Sequence, residues 1–259
     1  MALKIGSTSV SKMYKGSIEV TKGYLGSNLI YSSAPPTGST PLTNSNFSTA
    51  RDLWFTNQAQ AEATYGLIGN WNTTAVTNMN SAFKGNTGVI TNTFNENVGG
   101  WDVSNVTNME NMFRDQTLFN QDISYWNVGK VSKFVYMFYS SPAFNQDVSN
   151  WDVTGAWNIF NMFTNSNSFN QSLGGWDMKT MQTASTFIFS TAFSVSSYDS
   201  TLIGWEANLQ STFPNGVGYS FSPSIGFGNT KYTGGGSAAT ARASLVSNFN
   251  WTITDGGVV

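Results

Sequence analysis

The chain has no cysteine and no histidine among its 259 residues, and only 10% of them are charged, against roughly 25% in an average globular domain. Without cysteine there are no disulfides, thiolate nucleophiles or cysteine zinc sites. Without histidine the commonest general base and the commonest metal ligand are missing. A formal charge of −2 with no basic cluster leaves no electrostatic footprint for nucleic acid. No run approaches the roughly 18 apolar residues of a spanning helix, so no membrane insertion is expected. The stretch from Met1 to Ser7 has no apolar h-region, and a secretory signal is not expected either. Asn, Ser, Thr and Gly stand in for charge, which describes a surface solvated by neutral polar groups.

What the chain does have is a tryptophan register. Trp101, Trp126, Trp151 and Trp176 are 25 residues apart, and Trp71 precedes them by 30. A fixed period of this size marks a repeat architecture, whose units bury their faces only against their neighbours. Counting from each Trp, apolar residues recur at +5, +8, +11 and +12. They are Val106, Met109, Met112 and Phe113 in the second unit, then Val131, Phe134, Met137 and Phe138, then Ala156, Ile159, Met162 and Phe163. That spacing predicts one stripe of a short helix, and Thr107 with Glu110 fits its capping box. Phe-Asn follows at Phe94-Asn95, Phe119-Asn120, Phe144-Asn145 and Phe169-Asn170, leading through one apolar residue to the next Trp. This stretch reads as a short strand. The expected fold is an α/β repeat solenoid, leucine-rich-repeat-like, with coils of a short strand plus a short helix, preceded by a small all-β anchor.

Five parts follow along the chain. Residues 1–33 repeat Gly-Ser at 6, 16 and 26 between β-favouring runs, a small β anchor. Its four lysines face one glutamate, a balance of +3, while the remaining 8 basic and 13 acidic residues give −5. A unit below about 40 residues seldom folds alone, so it is expected to dock on a partner or to oligomerise. Residues 34–42, with three prolines, form a linker. Residues 43–66 form an N-terminal cap with a helix over Asn57–Tyr65, and residues 67–194 carry the repeats. Residues 195–259 break register as a C-terminal cap, with a helix over Thr240–Ser247, Ala241 and Leu245 inward, and a strand from Trp251 to Thr254.

The run from Phe119 to Val128 (Phe-Asn-Gln-Asp-Ile-Ser-Tyr-Trp-Asn-Val), followed by Val131 and Met137-Phe138, resembles the BspA-like leucine-rich-repeat family of bacterial surface proteins. Ala63–Thr73 resembles that family's leading segment, and the stretch from Tyr198 to Trp205 with Trp251–Gly257 resembles its C-terminal cap. The likeness covers residues 43–257 and departs most in the fifth unit. Residues 10–27 resemble short repeats of tailed-phage virion proteins. Together these resemblances imply a phage virion appendage, a fibre or decoration protein made in the host cytoplasm and displayed on the virion surface. Its expected partners are other virion proteins through residues 1–33 and a host-surface protein or glycan through the repeats, with a homo-oligomeric, trimeric anchor. A bacterial cell-surface adhesin is the first alternative and a polysaccharide depolymerase the second.

The residues themselves support binding over catalysis. The five tryptophans could be sugar-stacking platforms, but their constant register, with Val at +2 of Trp101, Trp126 and Trp151, favours a core. Met109, Met112, Phe113, Met137, Phe138, Met162 and Phe163 belong to that core too. Asn95, Asn120, Asn145 and Asn170 are expected to form a ladder of buried amides satisfying backbone groups. Asp102, Asp122, Asp147, Asp152 and Asp177 fit no calcium-loop spacing and are expected in turns. No pair of carboxylates stands out for glycoside hydrolysis, so no catalytic residue, metal or cofactor is expected. The candidate ligand face is the variable set beside the tryptophans: Ser124, Tyr125, Asn127, Ser149, Asn150 and Asp152.

Overall fold

A computed structural model describes residues 40–259, together with the backbone of four short strands nearer the N-terminus. There β1 (Lys4–Ile5) pairs antiparallel with β2 (Thr8–Ser9), and β3 (Lys22–Leu25) with β4 (Asn28–Ser32). Beyond this pairing, the anchor expected at 1–33 and residues 34–39 of the expected linker lie outside the described residues. The linker ends earlier than its prolines suggest. Leu42 is fully buried, and its N–H donates to the Asn72 carbonyl at 3.0 Å.

The segment expected as an N-terminal cap folds as two helices, α1 (Phe47–Thr56) and α2 (Gln58–Tyr65). Asn57 caps α2, its side-chain oxygen accepting from the Gln60 N–H, as such residues do at a helix start. In α1, Phe47, Ala50 and Trp54 fall on one helical face and are buried. Phe47 meets Trp71 and Trp101 edge-on.

Between Trp71 and Ser194 the described residues hold no helix, and the stretches from each Phe-Asn to the next Trp hold no strand. The short helix that the apolar spacing predicts is thus replaced by successive turns, and the short strand by extended chain with turns. The hydrogen bonds give the reason. Within a unit the N–H at +11 donates back three residues to the carbonyl at +8, as in Met112 to Met109, Met137 to Phe134 and Met162 to Ile159. The N–H groups at +8, +10, +12 and +14 instead donate to the next unit. Phe113, for example, bonds the Met137 carbonyl at 2.9 Å, and Phe138 bonds Met162 at 2.9 Å. Turn bonds spaced by three put +5, +8 and +11 on the same side as a helix would. The chain also passes through the left-handed region at +10 (Ser81, Asn111, Tyr136, Asn161, Thr186) and at +14 in units two to five (Asp115, Ser140, Asn165, Ser190). That conformation breaks a helix and favours residues such as Asn and Asp. The capping box therefore has no helix to cap: Thr107 donates to the Thr77 carbonyl, and the Glu110 N–H donates to Asn108.

Parallel bridges join equivalent positions from Asn78 through Asn108, Lys133 and Asn158 to Thr183. At Thr183 the line passes into a three-stranded parallel sheet of β5 (Thr183–Ala184), β6 (Ser224–Gly226) and β7 (Thr252–Thr254). The C-terminal segment thus covers the last unit, with α3 (Val195–Thr212) and α4 (Ser237–Ser247) packed together. Ala241 and Leu245 point inward as expected.

The register does not stop at residue 194. Trp205 of α3 donates its indole N–H to the Leu173 carbonyl at 2.7 Å, as Trp176 does to Val148, and Phe193 stacks on Phe169. A close glycine contact seats the helix. A β-carbon on Gly204 would lie 2.3 Å from the Gly174 carbonyl oxygen, a separation no side chain tolerates.

Candidate functional site

The tryptophans are structural in position. Trp71, Trp101, Trp126, Trp151 and Trp176 are all at most 4% exposed. Each indole N–H is satisfied by a carbonyl of the chain before it: Gly66, Ile68, Val98, Ile123 and Val148. No tryptophan face of this register is free to stack on a ligand. Beside them the phenylalanines form two parallel columns, Phe83-Phe113-Phe138-Phe163 and Phe94-Phe119-Phe144-Phe169, with rings within a unit about 4 Å apart. The Met residues at +8 and +11 are buried with them.

The asparagine ladder is present, though nearer the surface than a buried amide row. Asn95 and Asn120 are exposed, while Asn145 and Asn170 are half-buried. Asn95 accepts from the Asn120 N–H, Asn120 from Asn145, Asn145 from Asn170 and Asn170 from Ser194, each within 2.8–2.9 Å. The following glutamines lock the same rungs: Gln171 donates to both the carbonyl and the side chain of Asn145. Replacing Asn145 by alanine orphans the Asn170 N–H and half of the Gln171 contact. We expect a loss of about 1–2 kcal/mol, read from denaturant midpoints, with faster hydrogen exchange at Asn170; an unchanged midpoint and exchange rate would show that water replaces the rung freely.

The aspartates close turns. Asp102 accepts from the Ser104 N–H, Asp122 from Ser124, Asp147 from Ser149, Asp152 from Thr154 and Asp177 from Lys179. Asn127 does the same for Gly129, which explains why Asn replaces Asp there. Among the described residues, no three acidic groups come together as a metal site would need.

The six candidate face residues divide in three. Ser149 and Asn150 line an open depression of about 560 Å³, together with Gln171, Gly174 and Gly175 of the next unit and Ile203 of α3. Ser124 and Tyr125 hold the same position one unit earlier, Tyr125 being 76% exposed. Asn127 and Asp152 are exposed but spend their acceptors on their own turns and do not line the depression.

A second surface, along the parallel bridges, was not legible as a site; Trp157 is exposed there, and Tyr136, Tyr139 and Phe160 are half-buried. Tyr136, Tyr139 and Phe160 cluster there, with Tyr136 edge-on to both of the others at 5.3 and 5.4 Å. Arg114 lies over Tyr136 and Tyr139, and Lys133 lies over Trp157. The available signal was aromatic residues at +6, +9, +10 and +13, where the other units mostly carry small polar residues.

A family model described as "Mycoplasma protein of unknown function, DUF285" matches residues 47–92 and 87–201. These spans take in α1, α2, all five tryptophans of the register and the start of α3. No curated protein and no solved structure matches the chain.

Proposed function

We propose that this chain, which belongs to the DUF285 family, is a display module: a BspA-like, leucine-rich-repeat-like solenoid whose lateral surface adheres to a host-surface molecule or glycan. Residues 1–33 attach it to a phage virion, as an oligomeric anchor. The observation that carries the adhesive role is the fate of the repeated polar and aromatic residues. The tryptophans, asparagines and aspartates of the register are consumed by the scaffold, and the residues left free to solvent are those that differ from unit to unit. An array of this kind offers a graded surface in place of a single reactive pocket. The virion placement draws on the resemblance of residues 10–27 and on the opposite charge balance of the anchor.

Immunogold labelling of purified particles with antibody to this chain tests the placement. Gold on particles at a fixed location is the expected result. Bare particles with labelled cell surfaces would overturn it in favour of a bacterial surface adhesin, the reading that the family's description, naming a cellular genus, favours.

A further inference from the structure

We propose that the bridge-line face of the third and fourth units binds neutral oligosaccharide; this rests on the adhesive role above and names its ligand class. On this face the residues at +6, +9, +10 and +13 lie between the buried ones at +5, +8, +11 and +12, and in units three and four Val135, Asn161 and Thr164 of these rows are buried as well. The second unit shows the ordinary occupants: Thr107, Glu110, Asn111 and Arg114. In units three and four the same rows carry Tyr136, Tyr139, Trp157 and Phe160, the first, second and fourth packed edge to face and Trp157 36% exposed.

Tyr136 is placed against its backbone preference. Its φ is +55°, in a position where the other units carry Ser81, Asn111, Asn161 and Thr186. A bulky ring in the left-handed region is an outlier, and such residues persist where the surroundings impose them, often at binding sites. Nothing in the repeat lattice requires it, because four other units close the same turn with a small side chain.

The charge on the face points to a neutral ligand. Arg114 is held between Tyr136 and Tyr139 at 4.9 Å from each ring, with the Asp115 carboxylate 3.3 Å away. Lys133 lies 5.2 Å from the Trp157 ring centre, and Glu110 shares the row of Phe160. The cations thus steady the rings through cation–π contact, Asp115 pairs with Arg114, and Glu110 adds a second negative charge to the same row. Polar donors lie on the same bridge line: Asn158 follows Trp157 in the chain, and Asn108 is bridged to Lys133. Asn108 and Asn158, bridged through Lys133, spend their side-chain oxygens on the Glu110 and Phe160 N–H groups. Their amide NH2 groups have no partner among the described residues. A pyranose matches this arrangement: its C–H face lies against an aromatic ring while its hydroxyls reach donors at the rim, the amphipathic use to which Tyr and Trp are suited.

Calorimetric titration of the full chain with cellohexaose, maltohexaose, chitohexaose and hexagalacturonate tests the proposal. Two variants, Tyr136→Asn and Trp157→Thr, install residues that other units carry at the same positions (Asn111 and Asn161; Thr77 and Thr107), so the fold tolerates them. At least one neutral hexasaccharide should bind, and each variant should weaken it about tenfold or more with an unfolding midpoint unchanged or, for Tyr136→Asn, raised. Absence of binding to all three neutral sugars, binding to hexagalacturonate alone, or full binding by both variants would overturn it. If Tyr136→Asn lowers the midpoint, Trp157→Thr decides alone. The titration uses isolated protein, so it is independent of where the protein resides: bare virions with saccharide binding would fail the placement and leave this site standing.

Discussion

Trp151→Ala is expected to cost about 3–5 kcal/mol of unfolding free energy, the range for emptying a large aromatic site in a core. Trp151 is 2% exposed, stacks 5.7 Å from Phe134, touches the column at Phe138 and donates to the Ile123 carbonyl. Alanine removes the ring, leaves a cavity between the third and fourth units and frees a buried carbonyl. In the proposed solenoid each unit is supported by its neighbours, so a lesion in the middle also weakens the coupling between the two halves. Urea unfolding should therefore show a lower midpoint and a shallower slope, the mark of broken cooperativity. Trp157→Ala, on the exposed face, is the control, and it should move stability by less than about 1 kcal/mol. Equal effects from the two substitutions would mean that the tryptophan column does not hold the units together.

The second large effect lies in the C-terminal cap. Asp255 is nearly buried, its side chain 3% exposed, and takes hydrogen bonds from the Arg242 guanidinium and the Tyr198 hydroxyl, both at 2.7 Å. Arg242 also reaches the Ile253 carbonyl, so one carboxylate ties α3 and α4 to the end of the sheet. Asp255→Ala strands a partly buried guanidinium and should cost about 3–5 kcal/mol, as removing one partner of a buried pair does. A thermal or urea midpoint within about 0.5 kcal/mol of the parent would show that water enters and replaces the carboxylate.

The same cap predicts a one-sided pH response. Burial first, and then the Asp255 carboxylate, push the Tyr198 hydroxyl far above its ordinary range. Burial pushes Tyr219 up to about 12, against a weaker opposing bond from Trp251. In the folded protein both hydroxyls hold their protons more tightly than in the unfolded chain, where they titrate near about 10. Their contribution is therefore complete below about pH 10 and is lost as pH rises toward and beyond about 12. Stability should fall steeply between pH 10 and 12, and Tyr198→Phe should flatten that fall. A parent stability unchanged from pH 9 to 11.5 would contradict it.

The architecture's repeat was legible because its cause is local and periodic. A Trp that must fill the same space in every unit appears at the same interval, and the burial of Trp71 through Trp176 follows from that alone. Helices α2 and α4 were expected over Asn57–Tyr65 and Thr240–Ser247, and α4 starts three residues earlier, at Ser237. Helix α1 and the 18-residue α3 were not foreseen as helices, although Phe47, Ala50 and Trp54 in the first and Tyr198, Leu202, Trp205 and Leu209 in the second recur at helical spacing. The turns were misread for a physical reason. Apolar spacings of three arise both from a helix and from consecutive three-residue turn bonds, and only the direction of the alternate N–H groups separates them.

The sequence by itself determined the period, the inward residues and the exclusion of cysteine and histidine chemistry, since these depend on residue identity and position within one unit. The tertiary structure alone decided which neutral side chains are consumed and which are free. An asparagine is a rung or a ligand contact according to what the next unit places beside it, 25 residues away. Tyr136, Tyr139 and Phe160 become a platform only when two units stack, and Arg114 joins them from a third. Packing across units also carried the register into Trp205, where the sequence changes its spacing but the carbonyl of Leu173 still waits for an indole N–H.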